Sequence, residues 1–230
     1  MHTDNDCSKG KPVRDPKRKR AGSFYSRRSL VVGLTGGVAT GKTTVARMFA
    51  DLGAKVLSAD KLVHEMLQQG SDVWQEIVRE FGETVLGPNG NIDRKKLGEI
   101  VFRDPKKKMR LESITHPPVL ECLVQEAKLF RSKGRGVLIL EIPLLVETSC
   151  LELVDKVLVV TAEQETQIRR LQKRYSISRE EAILRIASQL PMSEKLKYAD
   201  WAISTEGTLR STKEQVGRVW HDIQEFLAQP

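Results

Sequence analysis

Short apolar runs, each bounded by turn residues, recur along the chain. The first begins at Leu30 and runs into a glycine-rich stretch. Unbroken apolar runs of this kind are typical of strands buried on both faces of a parallel sheet. We therefore predict five strands, one beginning at Leu30 and the others covering residues 54–57, 137–140, 156–160 and 201–204.

Between these runs, apolar side chains recur every three or four positions, which predicts helices. Residues 42–52 follow the first strand, a further helix starts near Asp60, and residues 209–227 close the chain. Thr161 and Ser178 each stand three positions before a Gln or a Glu. That spacing fits the capping box, so we expect helices to start at both.

From residue 72 to residue 133 the helical spacing continues without an apolar strand. Asp93 opens one helix, and Asp104 before Pro105 fits an N-cap followed by proline at the first helical position. A last long helix is predicted from Pro117 to Gly134. These helices interrupt the alternation of strands and helices, so we predict a helical insert over about residues 61–134 that covers a ligand cleft.

Strands that alternate with helices predict an α/β fold, a doubly wound parallel sheet. In such folds ligands bind outside the carboxyl ends of the strands. Thr35, Asp60 and Glu141 all fall at or just past predicted strand ends. We therefore expect these three side chains to converge on one site.

Gly36 and the run Gly41, Lys42, Thr43 satisfy the phosphate-loop spacing G-x-x-x-x-G-K-S/T, between a predicted strand and a predicted helix. Glycines let the backbone curl so that amides point at a phosphate, and the helix N-terminus faces the same anion. A lysine in this place reaches the β- and γ-phosphates of ATP, and the hydroxyl that follows it ligates Mg²⁺. The predicted nucleotide-binding residues are Gly37, Val38, Ala39, Thr40, Gly41, Lys42, Thr43 and Thr44.

Two further features favour a small-molecule kinase. Asp60 follows the second strand, where a carboxylate could face an acceptor hydroxyl; the alternative is that it only N-caps the next helix. Arg170 and Arg174 share one helix face, and Arg185 lies on the next helix. This pattern predicts an arginine-bearing lid over about residues 162–190, which neutralises charge on a transferring phosphoryl group. No N-K-x-D motif of GTPases is evident.

Charge is concentrated at the start of the chain. The formal net charge is +8, and residues 1–29 hold nine Lys or Arg against three Asp. We predict a disordered basic tail over residues 1–29. The three cysteines are widely spaced, which favours a reducing compartment. The sequence has no run of about 18 apolar residues, so no membrane span is predicted. We therefore expect a cytoplasmic protein.

The chain resembles the dephospho-coenzyme A kinase family of P-loop kinases over nearly all of residues 30–227. The resemblance rests on 33–37 (GLTGG), 41–44 (GKTT), 59–60 (AD), 116–117 (HP), 143–147 (PLLVE) and 199–200 (AD), and on Gln167, Arg170, Arg174, Arg185 and Gln189. It implies a P-loop three-layer fold with a five-stranded parallel sheet, a helical substrate-binding insert and the lid. It also implies ATP-dependent phosphorylation of the ribose 3′-hydroxyl of dephospho-CoA, the last step of coenzyme A synthesis.

By the same resemblance, Asp60 would be the catalytic carboxylate, with Lys42 and Thr43 on phosphate and Mg²⁺. Arg174, Arg170 and Arg185 would close on the phosphates, and His116 and Glu147 would lie near the acceptor. On physical grounds alone, His116, placed before prolines at a helix start, favours a structural role. Glu141 could contact Mg²⁺ through water, although an apolar residue can occupy that place in the family.

Three positions depart from the family pattern. Ala39 stands where glycine is usual, Ser58 where aspartate is common, and Thr205 where asparagine is frequent near the adenine. The basic tail is not part of the pattern either.

Two other functions remain open from the residues. One is a nucleoside or nucleotide monophosphate kinase of the same fold. The other is a nucleic-acid-binding protein with an ATPase body that binds through the basic tail, in particular through Lys17, Arg18, Lys19 and Arg20. Few aromatic residues accompany those charges, so a nucleic-acid partner is not expected. The expected partner is the small-molecule acceptor, and the sequence predicts no oligomeric state.

Overall fold

The computed structural model of the chain describes residues 29–229. The predicted tail lies outside the described residues except for Ser29, which begins the first strand. The strands are β1 (Ser29–Gly36), β2 (Lys55–Ser58), β3 (Gly136–Glu141), β4 (Lys156–Thr161) and β5 (Trp201–Ser204). The helices are α1 (Lys42–Asp51), α2 (Ala59–Met66), α3 (Asp72–Phe81), α4 (Arg94–Arg103), α5 (Pro105–Lys133), α6 (Gln164–Tyr175), α7 (Arg179–Ala187), α8 (Met192–Leu196) and α9 (Leu209–Ala228).

The strands form one five-stranded sheet in the order β2-β3-β1-β4-β5, and each neighbouring pair is parallel. β1 lies in the middle, and its residues alternate between the two faces. Leu30, Val32 and Leu34 join the apolar cluster that contains α1 and α9, whereas Val31 joins the cluster that contains α5. Helices therefore cover both faces, and the predicted α/β three-layer fold is confirmed.

A separate apolar cluster holds the segment predicted as the insert. Ile77 of α3 and Val85 are fully buried, and Leu97 of α4 and Ile114 of α5 are nearly so. α5 joins this cluster to the sheet, because its later residues Leu123 and Ala127 pack in the cluster behind β3.

The predicted helix start at Pro117 is wrong. α5 is one helix of 29 residues with Pro117 and Pro118 inside it. Each proline removes a backbone hydrogen bond to the preceding turn, at a cost of about 3 kcal/mol in an exposed helix. Burial of Ile114 before the prolines and of Val119 after them offsets that cost and keeps the helix continuous.

The capping-box prediction was right at one of its two positions. The Ser178 hydroxyl accepts a hydrogen bond from the Glu181 amide at 3.1 Å and caps α7. Thr161 caps nothing, because β4 extends through it and α6 begins only after Glu163. The Glu163 amide instead donates to Glu206 at 2.7 Å, a residue distant in the sequence.

Within residues 29–229, no helix has both the length and the apolar character needed to cross a bilayer. The cytoplasmic location stays a prediction.

Phe49 tests the packing of α1 on the sheet. It is fully buried and meets Trp220 of α9 with ring centroids 6.2 Å apart. We expect Phe49→Ala to lower the free energy of unfolding by about 3–5 kcal/mol, because it leaves a cavity under α1. Met109→Ala, at a side chain 63% exposed, should change it by less than about 0.5 kcal/mol. Urea denaturation measures both, and equal effects would contradict this account of the core.

Candidate active site

The loop between β1 and α1 is shaped by two glycines that no other residue replaces without strain. Gly36 has φ 150°, and a Cβ there would lie 2.2 Å from the Val160 carbonyl oxygen of β4. Gly41, with φ 90°, is the N-cap of α1. The loop thus turns back over the end of β1, and the first turn of α1 presents its free amides to the same space.

Ala39 and Thr205, two of the positions that depart from the family pattern, both accept hydrogen bonds from Arg170. Ala39 has φ 58°, a left-handed conformation that costs a non-glycine residue about 1 kcal/mol. Arg170 of α6 donates to the Ala39 carbonyl at 3.2 Å and to the hydroxyl and carbonyl of Thr205, both at 2.9 Å. The Thr205 hydroxyl in turn donates to the Thr40 carbonyl at 2.7 Å. Ala39 and Thr205 are therefore parts of one network that fixes the loop.

Lys42 lies folded against the loop that precedes it. Its ammonium donates to the Gly37 carbonyl at 2.8 Å and to the Gly36 carbonyl at 3.2 Å. Burial lowers the pKa of Lys42 from 10.5 to about 8; the nearby carboxylates of Asp60 and Glu141 oppose this shift, and the Lys195 ammonium adds to it. Both carboxylates thus lie within electrostatic reach of the loop lysine.

Glu141 and Thr43 form the closest polar pair at the mouth of the loop. The Thr43 hydroxyl donates to the Glu141 carboxylate at 2.7 Å, and Glu141 is only 4% exposed. Glu141 ends β3, where it pairs in register with Leu34 of β1 and Ser58 of β2. The sequence suggested only a contact between this residue and Mg²⁺ through water, whereas its place at the end of a buried strand brings its carboxylate directly to Thr43. A hydroxyl and a carboxylate are oxygen ligands suited to Mg²⁺.

Asp60 lies in the first turn of α2, and its carboxylate acts electrostatically on Lys42. The N-cap of α2 is Ser58, whose side chain makes no capping bond, so the alternative that Asp60 only caps the helix is wrong. The Asp60 side chain is exposed and lines the same cleft as Lys42 and Thr43. The carboxylate is therefore available to a bound molecule.

A cleft of about 1230 Å³ joins these groups. Its walls come from the loop, α2, α4, α5, the segment after β3 and the lid. The predicted site residues that line it are Val38, Ala39, Gly41, Lys42, Thr43, Thr44, Asp60, His116, Arg170 and Arg174. Gly37 and Thr40 lie behind it, where the Thr40 hydroxyl donates to the Gly37 carbonyl at 2.9 Å.

Glu147 is not among the described residues that line the cleft. Its carboxylate pairs with the fully buried Lys195 of α8 at 2.7 Å and accepts a hydrogen bond from the Leu190 amide at 3.2 Å. Lys195 also donates to the Pro143 carbonyl at 3.1 Å. These contacts fasten the segment after β3 to α8, and the acceptor contact expected of Glu147 stays a prediction. Sequence reasoning missed Lys195, which no motif distinguishes.

Of the three arginines predicted for the lid, Arg170 and Arg174 are among the described residues that line the cleft and Arg185 is not. Arg174 and Arg185 lie against the Tyr175 ring, each 5.2 Å from its centroid. Arg174 and Tyr175 line the cleft. Arg185 is not among the described residues that line it, and its guanidinium pairs with the Glu181 carboxylate at 2.7 Å. The lid packs on the loop through Ile168 and Leu171, against Val38 and Ala39.

The comparisons with known proteins bear on this arrangement. The profile of the family described as CoaE, dephospho-CoA kinase, matches residues 30–211. The dephospho-CoA kinase of Bacillus anthracis is 43% identical over 188 residues, which is 82% of this chain and 94% of that protein. Among solved structures, TT1252 from Thermus thermophilus is 32% identical with a TM-score of 0.70, and covers 85% of this chain and 98% of its own. The dephospho-CoA kinase from Campylobacter jejuni is 30% identical with a TM-score of 0.61, and covers 85% of this chain and 97% of its own.

The matched region contains the phosphate loop, both cleft carboxylates and the lid arginines. It also spans most of the chain and nearly all of each relative. The chain therefore belongs to the dephospho-CoA kinase family.

Proposed function

We propose that this protein transfers the γ-phosphoryl group of ATP to the ribose 3′-hydroxyl of dephospho-CoA, the final step of coenzyme A biosynthesis. The observation that carries the proposal is that Asp60 lines one cleft with the phosphate loop and is coupled electrostatically to Lys42. Family membership supplies the acceptor, since the Bacillus anthracis relative is a dephospho-CoA kinase.

On the nucleotide side, the loop amides and the first turn of α1 would bind the β-phosphate. Lys42 would exchange its hydrogen bonds to the Gly36 and Gly37 carbonyls for contacts with the β- and γ-phosphates. Arg170, already held by Ala39 and Thr205, would fix the position of the loop relative to the lid.

Thr43 and Glu141 would hold Mg²⁺, because they bring a hydroxyl and a buried carboxylate together at the mouth of the loop. When bound there, the ion neutralises charge on the phosphates. The buried position of Glu141 fits this role, since an unpaired carboxylate is costly to bury and a cation offsets that cost.

On the acceptor side, Asp60 would accept a hydrogen bond from the 3′-hydroxyl and later its proton. Phosphoryl transfer passes through a loose transition state, so orientation of the hydroxyl contributes more than strong deprotonation. Arg174, exposed on the lid and aligned by Tyr175, would close on the transferring group and exclude water.

The choice of acceptor tests the proposal directly. We expect ATP consumption to be fastest with dephospho-CoA in a panel that includes adenosine, other nucleosides and nucleoside monophosphates. Analysis of the product should show phosphate on the 3′-oxygen. A preference for a nucleoside monophosphate would favour the other kinase activity left open by the sequence. The nucleic-acid alternative rests on residues outside those described.

Asp60→Asn tests the role of the carboxylate. We expect kcat to fall by at least about a hundredfold, because general-base assistance is lost, with little change in the KM for ATP. Asp72→Asn is the matched control, since Asp72 is also an acid in the first turn of a helix but does not line the cleft. Near-normal turnover in Asp60→Asn would remove Asp60 from the mechanism.

Glu141→Gln tests the magnesium site. The amide still accepts a hydrogen bond from Thr43 but carries no charge, so Mg²⁺ should bind more weakly. We expect the Mg²⁺ concentration for half-maximal activity to rise by about tenfold or more, and excess Mg²⁺ to restore part of the rate. Glu152→Gln, at an acid that does not line the cleft, is the control. An unchanged requirement for Mg²⁺ would rule out this assignment of Glu141.

A further inference from the structure

A group of basic side chains lines the part of the cleft that is contributed by α2, α4 and α5, and no role has yet been given to three of them. Lys61 and His64 come from α2 and Arg94 from α4. His116 of α5 lines the same wall. All four side chains are exposed, and they come from three helices. We call this set the basic wall.

The basic wall has no acidic counterpart in the described part of the chain. Among the described side chains, Lys61 and Arg94 form no ion pair. The only described carboxylates that line the cleft are Asp60 and Glu141. Both of those act on Lys42 at the loop. The part of the cleft that the basic wall lines therefore carries positive charge that no described side chain pairs with, an arrangement that attracts anions.

The spacing of residues along α2 relates His64 of the basic wall to Asp60, the carboxylate proposed to bind the acceptor hydroxyl. Asp60 and His64 are four residues apart, so they share one helix face about one turn, or roughly 5.4 Å, apart. Lys61 follows Asp60 directly. A molecule that places a hydroxyl at Asp60 thus has His64 about one helical turn away, in a cleft that Lys61, Arg94 and His116 also line.

Dephospho-CoA fits this spacing. Its 3′-hydroxyl and its 5′-oxygen flank the same ribose ring, and the 5′-oxygen carries a diphosphate. We propose, on the basis of the function proposed above, that Lys61, His64 and Arg94, together with His116, form the binding site for the acceptor diphosphate. Arg94 is the main anchor, because a guanidinium donates two parallel hydrogen bonds to phosphate oxygens.

The site gives the enzyme a means of selecting its acceptor. A nucleoside offers the same hydroxyl to Asp60 but leaves the basic wall without a partner. Contacts to the diphosphate would also hold the 3′-hydroxyl in line with the γ-phosphate, because two attachment points on one rigid ring fix its orientation.

Steady-state kinetics of Arg94→Gln and Lys61→Gln test the proposal. We expect the KM for dephospho-CoA to rise by about tenfold or more in Arg94→Gln, since charged hydrogen bonds to the ligand are lost, and by less in Lys61→Gln. The KM for ATP should stay within about twofold. Lys95→Gln is the matched control, because it removes the same charge one residue along α4 at a side chain that does not line the cleft.

Adenosine separates the diphosphate site from the rest of the acceptor site. At saturating ATP, its inhibition constant against dephospho-CoA should be the same in Arg94→Gln and in the unaltered enzyme, since adenosine has no diphosphate. An equal rise for adenosine, an equal effect of Lys95→Gln, or an unchanged KM for dephospho-CoA would each overturn the site.

Failure of this site and failure of the proposed function give different results. If the unaltered enzyme does not phosphorylate dephospho-CoA, the proposed function falls. Calorimetric titration with dephospho-CoA then still decides the site: weaker binding to Arg94→Gln than to Lys95→Gln supports it, and equal binding refutes it.

Discussion

The site depends on the register of three parallel strands. β3 lies between β1 and β2, and its last residue, Glu141, is opposite Leu34 on one side and Ser58 on the other. The phosphate loop, Glu141 and the first turn of α2 therefore leave the sheet at the same edge. A shift of one residue in either pairing would turn the Glu141 side chain to the opposite face, away from Thr43.

Much of the fold follows from local patterns in the sequence, because the three central strands β1, β3 and β4 are buried on both faces and therefore consist mainly of apolar residues. These three strands could be predicted for that reason. The α7 cap and the phosphate loop could be predicted because each depends on a few neighbouring residues, a capping hydroxyl in the first and glycines in the second. The continuity of α5 could not, since it depends on Ile114 and Val119 packing into two different clusters. The false cap at Thr161 has a similar cause: the end of β4 is set by its pairing with β5.

The candidate site was predictable where one segment carries the chemistry and not where two distant segments share it. Lys42, Thr43 and Asp60 belong to short motifs beside strand ends. The pair formed by Glu147 and Lys195 joins positions far apart in the sequence, so the sequence alone could not predict it. Ala39 and Thr205 likewise look like separate departures until Arg170 is seen to bind both.

The two prolines of α5 have a mechanical consequence. They interrupt the hydrogen-bond ladder between the part of the helix that packs with the insert and the part that packs behind β3. A helix bends most easily where such bonds are missing. Any tilt of the helices around Ile77 and Leu97 against the sheet would therefore be concentrated within a turn of His116, at the wall of the cleft.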